Sequence, residues 1–245
     1  MAKKLASWAE TDLYWSEFDD TDKAAVLDLP HRTKRIERHG YIVREGEETV
    51  HSCVILSGYA IRHKIVDGGA RQILSVHMRG DIVDLQNSFL GLADHNVQML
   101  TGSEIAFIPR QAIRKLAFER PNVGMAMWHD SLVDGSIFRE WMANVGRRDA
   151  QTRVAHLLCE FSLRLKLAGL GSQTDYELPM TQEQLADCVG LTPVHVNRTL
   201  KMLEIKNLIV RTRNRGIVIA DWRKLADAGD FDSNYLHVRG NPALS

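Results

Sequence analysis

Cysteine is scarce: the 245 residues hold three, Cys53, Cys159 and Cys188, far apart in the chain. That count and spacing exclude a disulfide framework and a Cys-x-x-Cys metal site, and leave three buried, reduced thiols as the expectation. A redox-sensing thiol would need a lowered pKa. No apolar run approaches the ~18–20 residues of a membrane helix, so no membrane partner is expected. The opening Met-Ala-Lys-Lys-Leu-Ala-Ser-Trp, followed by Glu10 and Asp12, lacks the apolar core of a signal peptide, and the expected location is the cytoplasm. Charge of one sign is also missing: 31 Lys and Arg balance 31 Asp and Glu, so any basic surface must be local. With 44% hydrophobic and 25% charged residues, the chain is neither disordered nor fibrous.

What is present divides into a β half and an α half. Gly40, Gly46, Gly58, Gly68, Gly69 and Gly80 punctuate short apolar runs, and Asp67-Gly68-Gly69 between two alternating runs is a hairpin signal. Strands at this spacing predict a sandwich or barrel over residues 1–120, after a polar, partly helical lead-in from Asp12 to Leu29. Pro121 opens a helix over 121–146. Met125, Trp128, Leu132, Gly135 and Met142 fall mostly at three- and four-residue steps along it, a seam suited to a second copy of the chain. Gly146 marks a joint. Residues 147–245 read as a second domain, which begins with an amphipathic helix over Ala150–Leu167 whose stripe is Val154, Leu157, Leu158, Phe161 and Leu165. Gly169 to Asp175 reads as a loop.

The segment Met180–Leu203 carries the function. Thr181 and Gln184 form a capping-box pattern, Leu185, Ala186 and Val189 face inward, and Gly190 supplies the positive φ of a tight corner. Thr192-Pro193 then starts a second helix with a buried stripe of Val196, Leu200 and Leu203. This is a helix-turn-helix, and Leu208–Ile219, with its turn at Asn214 to Gly216, adds a hairpin wing. From Leu191 to Lys224 eight basic side chains face two acidic ones, a local excess of six in a chain of zero net charge. That excess, on the elements that would touch a duplex, points to double-stranded DNA as partner. At ~100° per residue the outward face of the second helix holds Val194, Arg198, Lys201 and Ile205, with His195 and Asn197 on the flanks. Base reading is assigned to Val194, Asn197, Arg198 and Lys201: Arg198 can donate two bonds to a guanine edge and Val194 offers a methyl surface to thymine. Ile205 lies too far along to reach bases and is expected to pack.

With these residues in place, the chain resembles the Crp/Fnr superfamily of bacterial transcription regulators over nearly its whole length. The resemblance is carried by Arg44-Glu45-Gly46-Glu47, Ile55-Leu56-Ser57-Gly58 and Gly80-Asp81-Ile82 at turn positions of a cupin-like β-roll, and most strongly by Gln182 to Leu208. It implies an α+β chain with a β-roll, a long dimerisation helix and a winged helix-turn-helix. It also implies a homodimer that regulates transcription from a roughly palindromic operator, with half-sites ~34 Å apart, and RNA polymerase as a further partner. Phosphate contacts are expected from Thr181, Gln182, Arg211, Arg213 and Arg215, and by family position from Thr192 and His195. Members that read TGTGA- or TTGAT-type half-sites place a glutamate where Val194 stands, so preference at that base pair should differ.

The sensor half departs from the family's ligand-binding branches. Where cyclic-AMP binders carry a glycine-glutamate-leucine run and an arginine, this chain has Asp84-Leu85-Gln86 and His95-Asn96-Val97, so a cyclic phosphate would meet Asp84 and no arginine. Cyclic AMP is therefore not expected. Nor is an iron–sulfur cluster, since no cysteine precedes Cys53. His63, His77 and His95 are the candidate haem ligands, with core or surface roles favoured. No residue names an effector, and none need exist. A cupin-type metal enzyme would need a His-x-His that the ten histidines do not provide, so catalysis is not expected. A protein-binding scaffold with a structural helix-turn-helix is the other alternative, and it predicts no salt-dependent DNA affinity.

Overall fold

Period-two alternation builds the first half. In strand β3 (His51–Ile55), Cys53 and Ile55 enter one apolar cluster and Val54 another, and in β8 (Ser103–Pro109) Ile105 and Ala106 separate in the same way. The computed structural model describes residues 18–238, so the opening residues and the first part of the lead-in lie outside the described residues. Two four-stranded sheets result. One has the order β1 (Arg32–Ile36), β8, β3, β6 (Ile82–Val83). The other runs β2 (Tyr41–Val43), β7 (Asn96–Met99), β4 (Ala60–Ile65), β5 (Arg71–His77). Ile36, Cys53, Ile55, Ala60, Val97, Met99 and Ile105 form a core shared by both sheets. Val54, Ala106 and Ile108, on the other face of the first sheet, pack with three helices: α1 (Asp20–Leu27, with Val26), α3 (Arg110–Glu119, with Ile113 and Leu116) and α4 (Pro121–Arg147, with Val123, Ala126 and Met127). A single turn, α2 (Asn87–Leu90), follows β6.

Helix α4 starts at Pro121, where the missing N–H costs nothing, and runs 27 residues. Its seam residues Met125, Trp128, Leu132 and Met142 are 57–77% exposed, while Val123, Ala126, Ile137 and Trp141 on other faces are buried. By its contacts the chain divides into two units. One takes the residues up to Ile65 with Ser75–Gly135, the other Val66–Leu74 with Ser136 onward, and the division passes through α4.

In the second unit, α5 (Ala150–Leu167) is capped by Asp149, whose carboxylate accepts from the Thr152 amide at 2.9 Å. It buries Val154, Leu157, Leu158, Phe161 and Leu165, the stripe its spacing predicts. The helices α6 (Gln182–Val189), α7 (Pro193–Ile205) and α8 (Trp222–Ala228) pack with it, beside a three-stranded sheet in the order β10 (Ile209–Arg211), β11 (Gly216–Ile219), β9 (Asp175–Glu177). The loop expected over Gly169–Asp175 ends one residue early, because strand β9 begins at Asp175. Three residues are too few to show alternation, and only pairing with β11, Ile217 opposite Tyr176, reveals the strand. The three cysteines are buried, and burial pushes every thiol pKa far up.

His156 sits in the interior of this unit. Its Nδ1–H donates to the Gly229 carbonyl at 3.0 Å, which leaves Nε2 facing the Tyr235 hydroxyl at 3.2 Å and Glu140 at 3.6 Å. Burial lowers its pKa from the ordinary 6.5; Glu160 and Glu140 oppose that, Arg148 reinforces it, and burial prevails. The unfolded chain therefore takes up this proton at higher pH than the folded one. Stability is fully present above about pH 6.5 and declines as pH falls below it. We expect the melting temperature to drop between about pH 7 and pH 5.5. The drop should be shallower in His156→Asn, whose amide N–H replaces Nδ1–H; equal slopes would assign the acid sensitivity elsewhere.

Candidate nucleic-acid interface

Local chemistry sets the helix-turn-helix. The Thr181 hydroxyl accepts from the Gln184 amide at 3.1 Å while Gln184 Oε1 accepts from the Thr181 amide at 2.9 Å, a reciprocal capping box. Gly190 ends α6 at φ 63°, and a Cβ there would stand 3.0 Å from a methyl of Val145. The Thr192 hydroxyl accepts from the His195 amide at 3.2 Å, and Pro193 opens α7. Val196, Thr199, Leu200 and Leu203 turn inward.

That burial fixes what faces out. Val194 is 81% exposed, and Asn197, Arg198 and Lys201 are exposed beside it, with His195 half-buried on the flank. Ile205 is 63% exposed, contrary to the packing expected of it. It lies in the last turn, past the buried stripe. Arg198 and Lys201 make no hydrogen bond or ion pair among the described residues.

A cleft of about 550 Å3, lined on one side by Leu200 and Glu204 of α7, lies between the helices and the wing. Thr181 and Gln182 border it at the first turn of α6, where amides and helix dipole favour an anion, and Arg211, Thr212 and Arg215 border it from the wing. The wing turn, expected over Asn214 to Gly216, is a 3-10 turn over Arg213–Arg215, with both arginines exposed. Thr192, at the start of α7, and Arg213, at the turn, are exposed but lie outside the cleft lining.

The sequence expectation treated Arg211 as a plain phosphate contact. In the fold its guanidinium pairs with Glu204 at 2.6 Å and donates to Asn197 Oδ1 at 3.3 Å. The Arg211 hydrogen bonds hold the Glu204 carboxyl below its ordinary range. Arg211 thus joins wing to α7 and orients Asn197. Glu204 was legible only as one acid set against many bases, because the pairing appears when the hairpin folds back.

A second polar cluster lies in the first unit. Arg62, nearly fully buried, reaches Asp134 at 2.7 Å and Asp84 at 3.5 Å; His95 Nε2 holds Asp84 at 2.8 Å and His95 Nδ1 meets Asp94 at 2.5 Å. Burial raises the Asp84 carboxyl, but the His95 hydrogen bond and the Arg62 charge outweigh it and leave the pKa lowered. An arginine therefore does meet Asp84. It arrives from β4, 22 residues earlier, where no run of sequence announces it. His77 bonds to the Ser75 hydroxyl at 2.8 Å, so both His77 and His95 are engaged by protein groups.

Comparison with known proteins agrees with both halves. A family model described as a Crp-like helix-turn-helix domain matches residues 152–228, and one described as a cyclic nucleotide-binding domain matches residues 33–120. The chain belongs to the Crp/Fnr family of transcription regulators. It is 24% identical over 223 residues to the transcriptional activator protein FnrL of Cereibacter sphaeroides, covering 89% of each chain. A probable transcriptional activator of Rhizobium leguminosarum bv. viciae is 28% identical over 193 residues, covering 78% of this chain and 79% of that one. Among solved structures, FixK2 from Bradyrhizobium japonicum shares the fold with a TM-score of 0.76 at 22% identity, over 82% of this chain and 98% of that one. As a Crp/Fnr regulator the chain binds DNA, and the Crp-like helix-turn-helix match takes in α6, α7 and the wing.

The corner at Gly190 holds that interface together. An alanine there would take a left-handed backbone and press on Val145, and Gly190→Ala should cost about 1–2 kcal/mol in denaturant unfolding. No loss would mean the corner relaxes freely.

Proposed function

We propose that two copies pair along α4, with Met125, Trp128, Leu132 and Met142 of each copy in the seam around Gly135, and present α7 to half-sites about 34 Å apart. Four large apolar side chains exposed in one seam support the pairing. The reading of DNA rests on one observation: the buried stripe of α7 leaves Val194, Arg198 and Lys201 outward, with no hydrogen bond or ion pair holding Arg198 or Lys201 among the described residues. In this reading Val194, Asn197, Arg198 and Lys201 meet base edges. Phosphates lie against Thr181, Gln182, Arg213 and Arg215, with Thr192 and His195 beside them. Arg211 keeps a phosphate role only through the donors that Glu204 leaves it.

The family's cyclic-nucleotide site does not fit these residues. A phosphate would enter beside the buried carboxylate of Asp84 and the half-buried one of Asp134, which already share the Arg62 guanidinium. We therefore assign no cyclic nucleotide and no iron–sulfur cluster to the chain, and no catalytic step. Three inert thiols argue against cluster ligation. The protein would act with RNA polymerase at its promoters, in the cytoplasm.

Duplexes selected from a random pool give the operator against which variants are read. Arg198→Ala should weaken operator binding by about 1–3 kcal/mol and relax choice at one base pair; unchanged selectivity would remove Arg198 from the readers. Arg213→Ala should weaken all duplexes alike and flatten the salt dependence by about one unit. An unaltered salt slope would place the wing off the phosphates.

A further inference from the structure

The Crp-like domain match ends at residue 228, yet the chain continues into a segment with unusually demanding contacts. Gly229 passes so close to α5 that a Cβ on it would stand 2.7 Å from the His156 backbone nitrogen. Beyond it, Phe231 packs edge-on against the His156 ring at 5.2 Å, and the Tyr235 ring stacks on it at 5.8 Å. The Tyr235 hydroxyl donates to Glu160 Oε2 at 2.7 Å, and the same oxygen accepts from Trp141 Nε1 of α4 at 2.9 Å. Glu160 is 1% exposed, so one buried carboxylate, with Arg164 at 3.6 Å, joins α4, α5 and the C-terminal segment. A second tie runs outside it. Arg148, in the bend between α4 and α5, holds Glu140 of α4 at 2.6 Å and Asp230 at 2.9 Å. A third joins His237 Nε2 to the Ser136 hydroxyl at 3.2 Å.

We propose that Gly229–His237 is a strap that locks the bend between the end of α4 and α5, and so sets the half-site separation the dimer accepts. Tyr235 and Asp230 are its positioning residues. The inference rests on the dimeric DNA reading above. None of these side chains belongs to the DNA face. The seam lies on α4, whereas α6 and α7 pack on α5, so any play at this bend becomes play between the two reading helices. One added base pair moves the second half-site by about 3.4 Å and turns it by about 35°. A locked bend rejects that change and a loose one absorbs it. The buried carboxylate makes the lock stiff, because withdrawing a donor leaves its charge under-satisfied rather than merely unbonded.

The test uses the full chain and competing duplexes carrying the selected half-sites at the selected spacing and at one pair more or less. Wild type should prefer one spacing by about tenfold or more, and Tyr235→Phe should shrink that ratio severalfold. Half-site base preference and dimer dissociation should stay as in wild type. Asp230→Asn, at the exposed tie, should give a smaller shift in the same direction and decides the matter if Tyr235→Phe fails to fold. A ratio unchanged in the folded variants, or a wild type that binds without regard to spacing, overturns the strap alone. A wild type that binds no duplex overturns the DNA reading and the strap together.

Discussion

Helix α7 has one stripe it can bury and one it cannot, and this decides the functional surface. Val196, Leu200 and Leu203 are apolar at three- and four-residue steps, so the helix has one rotation about its axis that removes them all from water. In that rotation Arg198 and Lys201 have to point outward. The Thr192 cap and Pro193 set where the helix begins, and the left-handed Gly190 sets its angle to α6. Val194, Arg198 and Lys201 need no contacts of their own to face outward; the packing behind them does the orienting.

The charge of the molecule is apportioned by burial. Cations inside or near the core are committed to carboxylates: Arg62 to Asp84 and Asp134, Arg148 to Glu140 and Asp230, Arg211 to Glu204. Those in and just after α7 that find no acid within reach remain available to a polyanion. A chain of zero net charge can therefore carry a basic face, because the acids that balance it are spent elsewhere.

Features closed within about ten residues were legible in the sequence. The capping box at Thr181, the corner at Gly190, the proline starts of α4 and α7 and the stripe of α5 all follow from neighbours along the chain. Features made by distant partners were not. Arg62 and Asp134 are 72 residues apart and Tyr235 and Glu160 are 75 apart, and no periodicity connects them. The double commitment of Arg211 and the exposure of Ile205 depend on where the wing lies, which hydrophobic spacing does not specify. Strand β9 was hidden by its brevity and the helix α8 by having one buried side chain, Leu225, too few to show a helical period.

The three interior thiols bear on how the protein meets an oxidant. Peroxide reacts with thiolate, and sulfur kept protonated and shielded from water offers almost none. Cys53 lies in the β-sheet core, Cys159 in α5 and Cys188 in α6, so neither half of the chain presents a sulfur for sulfenylation or glutathione capture while folded. The three cysteines should keep one covalent form through an oxidative burst, and samples handled in air without added reductant should stay free of disulfide-linked species.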